Sequence, residues 1–279
     1  MGRADVLELV NDMKAKGEPF ALATVVRTVA ATAAKAGAKA IIRPDGTISA
    51  GWIGGGCARG AVLRAARDAI KDGEPRLISV QPKELLDQLG VTAGEAREGI
   101  EFAKNMCPSR GTMDIFVEPV LPRSQLVIFG SSPVGVALAE LARQFGFFVI
   151  VCAPASDHSA FGEVDLLADG FEPPNDYGGN GYIVVATQGK GDSAALKAAL
   201  KPRSAYVSFV GSRKKAEALR KELVEAGVDP GRIGAFKAPA GLDIGAITPD
   251  EIALSILAEV IEARRRGHRS EPRQIAVKE

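Results

Sequence analysis

The stretch that decides the fold is Gln125-Leu126-Val127-Ile128-Phe129-Gly130-Ser131-Ser132-Pro133-Val134-Gly135. An apolar run of buried-strand type ends at Gly130, and the Ser131-Ser132-Pro133 segment then supplies an N-cap and a proline for the first helical position. The stretch therefore predicts a strand followed directly by a helix, which is the opening of a βαβ series. Helical spacing predicts the inward side chains of that helix as Val134, Leu138, Leu141 and Phe145.

Strands and helices continue to alternate after this stretch. Strands are predicted at 147–151, 182–186 and 205–210, and helices at 192–200 and 212–226. Thr248-Pro249-Asp250-Glu251 is a capping box that opens a last long helix, and Asp192 is interpreted as an N-cap. Such alternation predicts a parallel sheet covered by helices on both faces.

The first part of the chain predicts a mixed α/β domain. An amphipathic helix over 1–16 would bury Val6, Leu9, Val10 and Met13. The other predicted elements are a strand at 20–29, a hairpin of 39–43 with 47–50 around Pro44-Asp45-Gly46, a helix containing Val62, Leu63, Ala66 and Ile70, and strands at 76–80 and 112–118. The region from 82 to 111 is polar, partly helical and gives no clear pattern.

Two prolines in Pro119-Val120-Leu121-Pro122-Arg123 stiffen the chain and indicate a domain boundary. We therefore predict an N-terminal mixed α/β domain over 1–120, a Rossmann-like parallel-sheet domain over 121–266, and a C-terminal tail over 267–279. The fold class is α/β.

Composition excludes several classes of protein. A net charge of +1 in 279 residues gives no general reason to bind nucleic acid or a membrane surface. No apolar run is long enough to span a bilayer, and the start of the chain does not have the pattern of a signal peptide. Three widely spaced cysteines argue against a disulfide framework and favour a reducing, cytoplasmic location. Two isolated histidines give little support to a zinc site or a nucleophile triad.

The segment Gly51-Trp52-Ile53-Gly54-Gly55-Gly56-Cys57-Ala58-Arg59-Gly60 places a thiol just after a glycine run and at the start of a predicted helix. Three glycines allow backbone N–H groups to face an anion, and the helix N-terminus with Arg59 would favour the thiolate of Cys57. The alternative is a tight turn before a packed helix, with Cys57 as a small core residue.

The loop from Gly130 to Gly135 lies where a Rossmann fold binds phosphate, but its middle glycine is replaced by Ser132. Val151-Cys152-Ala153-Pro154 also lacks the acidic residue that binds ribose. Three interpretations stay open: NAD(P) binding, another nucleotide-bearing ligand, or a loop with no ligand.

Three cations in Gly211-Ser212-Arg213-Lys214-Lys215 lie at a predicted helix start, where the helix dipole favours negative charge. A phosphate held by Ser212, Arg213 and backbone amides would compensate them, whereas the alternative is that they simply extend into water. The loops 187–192 and 239–245 are predicted at the same edge of the sheet, the usual ligand crevice of such folds.

Taken together, several motifs resemble the XdhC/CoxI family. They are Gly54-Gly55-Gly56-Cys57, Gly211-Ser212-Arg213-Lys214-Lys215, the segment Pro239-Ala240-Gly241-Leu242-Asp243-Ile244-Gly245-Ala246-Ile247-Thr248-Pro249, and the helix that follows it. Members of that family are accessory proteins of molybdenum hydroxylases such as xanthine dehydrogenase and carbon monoxide dehydrogenase. The resemblance implies a dimeric chaperone, rather than a catalyst, that holds the molybdenum cofactor, assists its sulfuration and inserts it into the apoenzyme.

The resemblance also implies roles for particular residues. Cys57 matches the cysteine of the family's glycine loop, as a metal ligand or sulfur acceptor. Arg59 stands where the family usually has an acidic residue, and Cys107-Pro108-Ser109-Arg110-Gly111 stands where it has Cys-Gly-Gly, which points to the carbon monoxide dehydrogenase branch. The candidate cofactor-binding residues are Gly54, Gly55, Gly56, Arg59, Gly130, Ser131, Ser132, Gly135, Gly211, Ser212 and Arg213.

The implied ligand is a molybdopterin or its dinucleotide form, lying between the domains with its metal near Cys57 and its phosphates near Ser131, Ser132, Ser212 and Arg213. The implied partners are an apo molybdenum hydroxylase, a cysteine desulfurase as sulfur donor, and a second copy of the chain. Cys107, in a predicted loop, is the better second thiol, and Cys152 is expected to be buried and inert. The alternatives are a nicotinamide-dependent oxidoreductase, or a scaffold without ligand that couples a sulfur donor to its client.

Overall fold

The computed structural model describes residues 6–106, 110–173, 181–202 and 204–268, without the side chains of Cys57 and residues 266–268. Contacts between residues divide the chain into two compact units, and the division falls between Pro122 and Arg123.

The first unit is built on a seven-stranded mixed sheet with the strand order β3-β2-β1-β7-β4-β6-β5. Its strands are β1 (Phe20–Val29), β2 (Lys39–Ile42), β3 (Ile48–Gly51), β4 (Arg76–Pro82), β5 (Ala96–Arg97), β6 (Ile100–Asn105) and β7 (Thr112–Val120). Its helices are α1 (Val6–Ala15), α2 (Gly56–Asp72) and α3 (Lys83–Leu89). The predicted first helix, first strand, hairpin and glycine-loop helix are therefore confirmed.

One face of this sheet packs against α2. The strand side chains Val25, Ile115 and Ile78 are almost fully buried there, together with Val62 and Ala66 of the helix. Burial at every second strand position and at helical spacing explains why these two periodicities were readable in the sequence. The packing fixes the start of α2 at the end of the β2–β3 hairpin.

Two features of the first unit differ from the sequence prediction. Strand β6 lies in the region that gave no clear pattern, and it pairs in parallel with β4. Strand β7 continues to Val120, so Pro119 is a strand residue that pairs with Ala21 of β1. Pairing of β7 with β4 stops at Val117, so no described strand needs an N–H from Pro119 on that side.

The second unit contains a five-stranded parallel sheet with the order β10-β9-β8-β11-β12. Its strands are β8 (Gln125–Phe129), β9 (Phe148–Ala153), β10 (Leu166–Asp169), β11 (Tyr182–Val185) and β12 (Tyr206–Phe209). Its helices are α4 (Pro133–Gln144), a 3-10 helix (Ala155–Ala160), α5 (Asp192–Ala199), α6 (Arg213–Glu225), α7 (Pro230–Ala235) and α8 (Pro249–His268).

Helices cover both faces of the parallel sheet, as predicted. Buried residues of α4 and α8, including Leu138 and Leu257, pack with Ile128 on one face. Buried residues of α5 and α6, including Leu196, pack with Phe129 on the other face. The mixed α/β unit followed by a Rossmann-like unit confirms the predicted fold class.

Two local predictions in this unit are wrong. Phe145 is 48% exposed because α4 ends before it, and the chain turns so that Phe147 is buried instead. The N-cap of α5 is Gly191, in the left-handed conformation with φ of 87°, and Asp192 is the first helical residue. The carboxylate of Asp192 is buried and contacts Thr187, Gly189 and Lys215.

Candidate functional site

The start of α2 leaves its first backbone amides without a side-chain cap. The N-cap is Gly55, which offers no side-chain hydrogen bond, and the first turn contains no acidic residue. Unpaired N–H groups at a helix start carry partial positive charge and can bind an anion. Arg59 is exposed in the same turn, and its guanidinium has no hydrogen-bond or ion-pair partner among the described residues. This end of α2 is therefore electropositive.

Of the three glycines before Cys57, the described structure requires glycine at Gly54 but not at Gly55 or Gly56. Gly54 has a φ of 111°, and a Cβ there would lie 3.2 Å from the Met113 Cε atom, so the fold itself requires glycine. A Cβ at Gly55 or Gly56 would meet no described atom within 4 Å, and neither has a positive φ. Packing among the described residues therefore does not explain these two glycines, and those residues leave the space beside them open.

Cys57 is the second residue of α2, so the predicted position of the thiol at a helix start is confirmed for its backbone. Its side chain lies outside the described part of the structure. The next residue, Ala58, is buried in the core beneath the helix.

In the second unit, Gly130 and Gly135 are explained by close packing. Gly130 has a φ of 99°, and a Cβ there would lie 2.7 Å from the Cα atom of Thr187, which follows β11. A Cβ at Gly135 would lie 3.2 Å from the carbonyl oxygen of Gly130. Ser132 is buried and is the N-cap of α4, and its Oγ atom accepts a hydrogen bond of 3.2 Å from the Gly135 N–H. These three positions thus have structural roles whether or not a ligand binds.

Ser131 faces a carboxylate that sequence reasoning missed. Its hydroxyl donates a hydrogen bond of 2.5 Å to Asp157 in the 3-10 helix after β9. This hydrogen bond and a second one from Ser156 hold the pKa of Asp157 below its ordinary value, so the group is ionised near neutral pH. A carboxylate beside Ser131 repels phosphate, which argues against the expected phosphate position there. The sequence signal that could have indicated this contact is an acidic residue four positions after the end of β9.

The start of α6 corrects the expectation of three uncompensated cations. Lys215 forms an ion pair with Asp192, whose side chain is 8% exposed. Arg213 and Lys214 are exposed and have no hydrogen-bond or ion-pair partner among the described side chains. Ser212 caps the helix, since its Oγ atom accepts a hydrogen bond of 3.3 Å from the Lys215 N–H. Two cations, rather than three, remain available to an anion at this helix start.

Gly211, which precedes that cap, is explained by packing, because a Cβ there would lie 2.4 Å from a ring carbon of Phe209. The loop 237–246, which contains Pro239-Ala240-Gly241-Leu242-Asp243-Ile244-Gly245, also lies beside this helix start. It passes alongside β12, where the Phe209 N–H donates to the Lys237 carbonyl at 2.9 Å.

The buried carboxylate of Glu259 on α8 holds this loop in place. It accepts a hydrogen bond of 2.5 Å from the Tyr206 hydroxyl and one of 2.8 Å from the Gly241 N–H, and it forms an ion pair with Lys237. Gly241 has a φ of 95°, and a Cβ there would lie 2.3 Å from the Ser255 Oγ atom of α8. The loop therefore lies tightly against α8.

A cleft of about 820 Å³ lies between this loop and the start of α6. Its lining combines the charged residues Arg213, Lys237 and Asp243 with apolar side chains such as Leu242, Ile244 and Ile252. A cavity of this size, apolar with a few charged groups, is typical of small-molecule sites.

Cys152 is fully buried in β9, as expected, and burial raises the pKa of its thiol to about 12. Cys107 lies outside the described residues. The His158 ring contacts the carbonyl oxygens of Ala153 and Ala168, at 2.9 and 3.2 Å, and so connects β9 with β10.

Among the described residues, no group of three or more His, Cys, Asp or Glu side chains is arranged to hold a metal ion. None of the described helices is both long and apolar enough to cross a membrane.

Two curated proteins are similar to the chain. The protein YqeB of Escherichia coli is 29% identical over 261 residues, which are 88% of this chain and 44% of that protein. A probable xanthine dehydrogenase subunit of Bacillus subtilis is 32% identical over 168 residues, which are 56% of this chain and 47% of that protein. The chain thus spans less than half the length of these relatives.

A crystal structure described as a xanthine dehydrogenase of Bacillus halodurans is similar with a TM-score of 0.46 and 18% identity. The similarity covers 98% of this chain and 97% of that one.

Two family models match the two units separately. The model of the XdhC and CoxI family matches residues 13–81, which include the start of α2, and the model of the XdhC Rossmann domain matches residues 126–260. Together the two models match more than two thirds of the chain, which therefore belongs to the XdhC and CoxI family.

Proposed function

We propose that the protein is an accessory protein that binds the molybdenum cofactor and assists its sulfuration and insertion into a molybdenum hydroxylase, of the xanthine dehydrogenase or carbon monoxide dehydrogenase type. Membership of the XdhC and CoxI family and similarity to a probable xanthine dehydrogenase subunit support this accessory role. The observation that carries the proposal is the start of α2, with an uncapped helix end, two glycines beside open space, and Cys57 as the second helical residue.

The chemistry of this helix start fits a sulfur-ligated metal group with negative charge. Amides at a helix N-terminus stabilise a thiolate, which is the form of cysteine that binds metals and attacks sulfur. Soft thiolate ligands suit metals that already carry sulfur ligands. The exposed Arg59 adds positive charge at the same turn. When bound, the cofactor would supply the molybdenum centre that the client enzyme needs.

Within the second unit, a phosphate group fits better at the start of α6 than at the β8–α4 loop. Ser131 already donates to the Asp157 carboxylate, whereas Arg213 is free of described partners and Ser212 keeps its hydroxyl hydrogen available. A guanidinium binds phosphate through two parallel hydrogen bonds. We therefore assign the phosphate to Ser212 and Arg213 and withdraw Ser131 and Ser132 from this role.

Cys57 is also the proposed sulfur acceptor. Its thiolate would attack the outer sulfur of a persulfide on a cysteine desulfurase, so that a new S–S bond forms at Cys57, the desulfurase S–S bond breaks, and the desulfurase thiolate leaves. Mass spectrometry after mixing with the loaded desulfurase would detect one added sulfur atom on wild type. Cys57→Ala should show none, while Cys152→Ala, which removes a buried thiol, should behave as wild type.

The test of cofactor binding uses full-length protein purified from a molybdenum-replete host. We expect wild type and Cys152→Ala to retain molybdenum and a pterin, measured by elemental analysis and by the fluorescence of the oxidised pterin, and Cys57→Ala to lose most of both. Cys57→Ala should also fail to activate an apo molybdenum hydroxylase. Equal cofactor content and equal activation by Cys57→Ala would refute the central role of this cysteine.

The alternatives are tested with the same protein. Tight binding of NADH or NADPH with turnover of a small carbonyl compound would favour an oxidoreductase, and a wild-type protein that never carries a pterin would favour a scaffold without ligand. We further propose that the protein forms a homodimer and binds the apo hydroxylase. Sedimentation of the protein alone and with the apoenzyme tests both associations.

A further inference from the structure

The cleft beside α6 contains two opposite charges that do not neutralise each other. Arg213 and Asp243 both line it, yet neither has a hydrogen-bond or ion-pair partner among the described residues. The third charged residue, Lys237, is already paired with the buried Glu259. The cleft thus offers a ligand one cation and one carboxylate, with Leu242, Ile244 and Ile252 among its apolar lining.

The loop that forms the wall of the cleft is hydrogen-bonded to α8 at several points. The Gly241 N–H donates to Glu259, the Leu242 N–H donates to the Ser255 carbonyl at 3.2 Å, and a side chain at Gly241 would collide with Ser255. Asp243 follows directly after these anchored residues. A carboxylate held on a fixed loop is suited to orient a ligand, because little conformational freedom is lost on binding.

The chemistry of the two charges specifies the kind of ligand. A carboxylate accepts two parallel N–H hydrogen bonds, and a 2-amino-4-oxopyrimidine ring presents this pair of donors along one edge. A guanidinium binds a phosphate group, and apolar side chains pack on the faces of a flat ring. Pterins and guanine nucleotides both combine such a ring with a phosphate.

We infer that this cleft binds a phosphorylated pterin, with Asp243 accepting hydrogen bonds from the aminopyrimidinone edge and Arg213 binding the phosphate. The inference rests on the proposed function for the choice of a pterin over a guanine nucleotide. Within the second unit, it assigns the pterin position to the loop 237–246 rather than to the β8–α4 loop.

The test uses metal-free neopterin and neopterin monophosphate, which differ only in the phosphate and are followed by their own fluorescence. We expect wild type to bind the phosphate more tightly than neopterin. Asp243→Asn should weaken binding of both compounds about tenfold or more, because a charged hydrogen-bond acceptor is lost. Arg213→Gln should weaken binding of neopterin monophosphate by a similar factor and leave neopterin unchanged.

Matched controls are Asp250→Asn and Lys221→Ala, which remove exposed charges of the neighbouring helices outside the cleft and should leave both affinities unchanged. Because Asp243 and Arg213 make no contact that the fold needs, their variants should unfold at the wild-type temperature. Tighter binding of GMP than of neopterin monophosphate would overturn the pterin assignment. Equal binding by wild type, Asp243→Asn and Arg213→Gln would overturn the cleft as the site.

Failure of the inference is distinguishable from failure of the proposed function. Protein that carries the molybdenum cofactor but binds no neopterin monophosphate, or binds it independently of Asp243, would refute the inference alone. Protein that binds neopterin monophosphate through Asp243 and Arg213 but never acquires molybdenum would refute the proposed function and keep the cleft as a pterin site.

Discussion

Lys215, in the first turn of α6, forms an ion pair with Asp192, the first residue of α5. The same buried carboxylate accepts hydrogen bonds from the Thr187 hydroxyl and, at 2.9 Å, from the Gly189 N–H. Asp192, at the start of α5, therefore connects the loop after β11 with the first turn of α6. These contacts shape the carboxyl edge of the parallel sheet, where the phosphate is proposed to bind.

Removing this carboxylate should destabilise the second unit. We expect Asp192→Ala to lower the free energy of unfolding by about 3 kcal/mol, because buried donors lose their acceptor and Lys215 loses its partner. Lys215→Met should cost less, since the Lys215 side chain is 40% exposed and Asp192 keeps its other donors. Lys214→Met, an exposed neighbour, is the control, and urea unfolding measures all three. If Asp192→Ala lowered the free energy of unfolding by no more than Lys214→Met does, the structural role of Asp192 would be contradicted.

Asp192 should also make stability depend on pH. Burial raises its pKa, but hydrogen bonds from Lys215, Thr187 and Gly189 outweigh burial and hold the pKa below the ordinary value of 3.8. The unfolded chain therefore takes up the proton more readily than the folded chain. The stabilisation is complete above about pH 5 and is lost as the pH falls through the lower folded value. Subtracting the unfolding free energies of Asp192→Asn from those of wild type between neutral and acid pH isolates this contribution, and a constant difference would contradict it.

The hydroxyl of Tyr206 should stabilise the loop that lines the cleft. Its hydrogen bond to Glu259 involves a charged acceptor, so Tyr206→Phe should cost about 1.5–3 kcal/mol. Tyr182 is the neighbouring residue in the sheet register, and its hydroxyl donates no hydrogen bond to a described residue. Thermal unfolding of Tyr182→Phe therefore provides the matched control, and equal losses in both variants would show that the Glu259 contact is not the cause.

Substitutions in the glycine run before Cys57 should separate effects on the free energy of unfolding from effects on cofactor binding. Gly54→Ala introduces a Cβ at a φ of 111° and close to Met113, so it should destabilise the protein by about 1–3 kcal/mol. Gly56→Ala places its Cβ in open space within a helix and should leave the free energy of unfolding unchanged or raise it by less than about 1 kcal/mol. If the cofactor contacts this helix end, Gly56→Ala should nevertheless retain less pterin after purification. Retention at the wild-type level would place the ligand elsewhere.

Thiol titration should show that Cys152 is unreactive in the folded protein. With a pKa of about 12 and a fully buried side chain, it has almost no thiolate at neutral pH. Cys152→Ala should therefore leave the number of thiols that react with a disulfide reagent unchanged until the protein is unfolded. Cys57→Ala should reduce that number in the native state. If folded Cys152→Ala had one fewer rapidly reacting thiol than the folded wild type, Cys152 could not be the unreactive thiol.

The elements predicted correctly are those whose signals are local. The capping box at the start of α8 is observed as expected, since the Thr248 N–H donates to Glu251 at 2.9 Å and the Glu251 N–H donates back to Thr248 at 3.3 Å. Ser132 with Pro133 likewise begins α4. Capping depends on residues three or four positions apart, and such signals can be read along the chain.

The site could be predicted only in part, because its decisive contacts join distant segments. The start of α2 was readable from three glycines and a cysteine. In contrast, nothing local indicates that Asp192 pairs with Lys215, that Asp157 faces Ser131, or that Glu259 holds Gly241. Each acid was visible in the sequence, but its partner is determined by the order of the parallel strands.

The pairing of β1 with β7 constrains how the protein is made. Phe20 pairs with Val120 and Val29 pairs with Thr112, so the centre of the first sheet joins the beginning of that unit to its end. A nascent chain that has not yet emerged from the ribosome as far as Val120 lacks the strand that β1 and β4 both need. Contacts so distant in sequence form slowly and leave strand edges exposed meanwhile. The helix that carries Cys57 therefore has a complete sheet to pack against only after β7 has been synthesised.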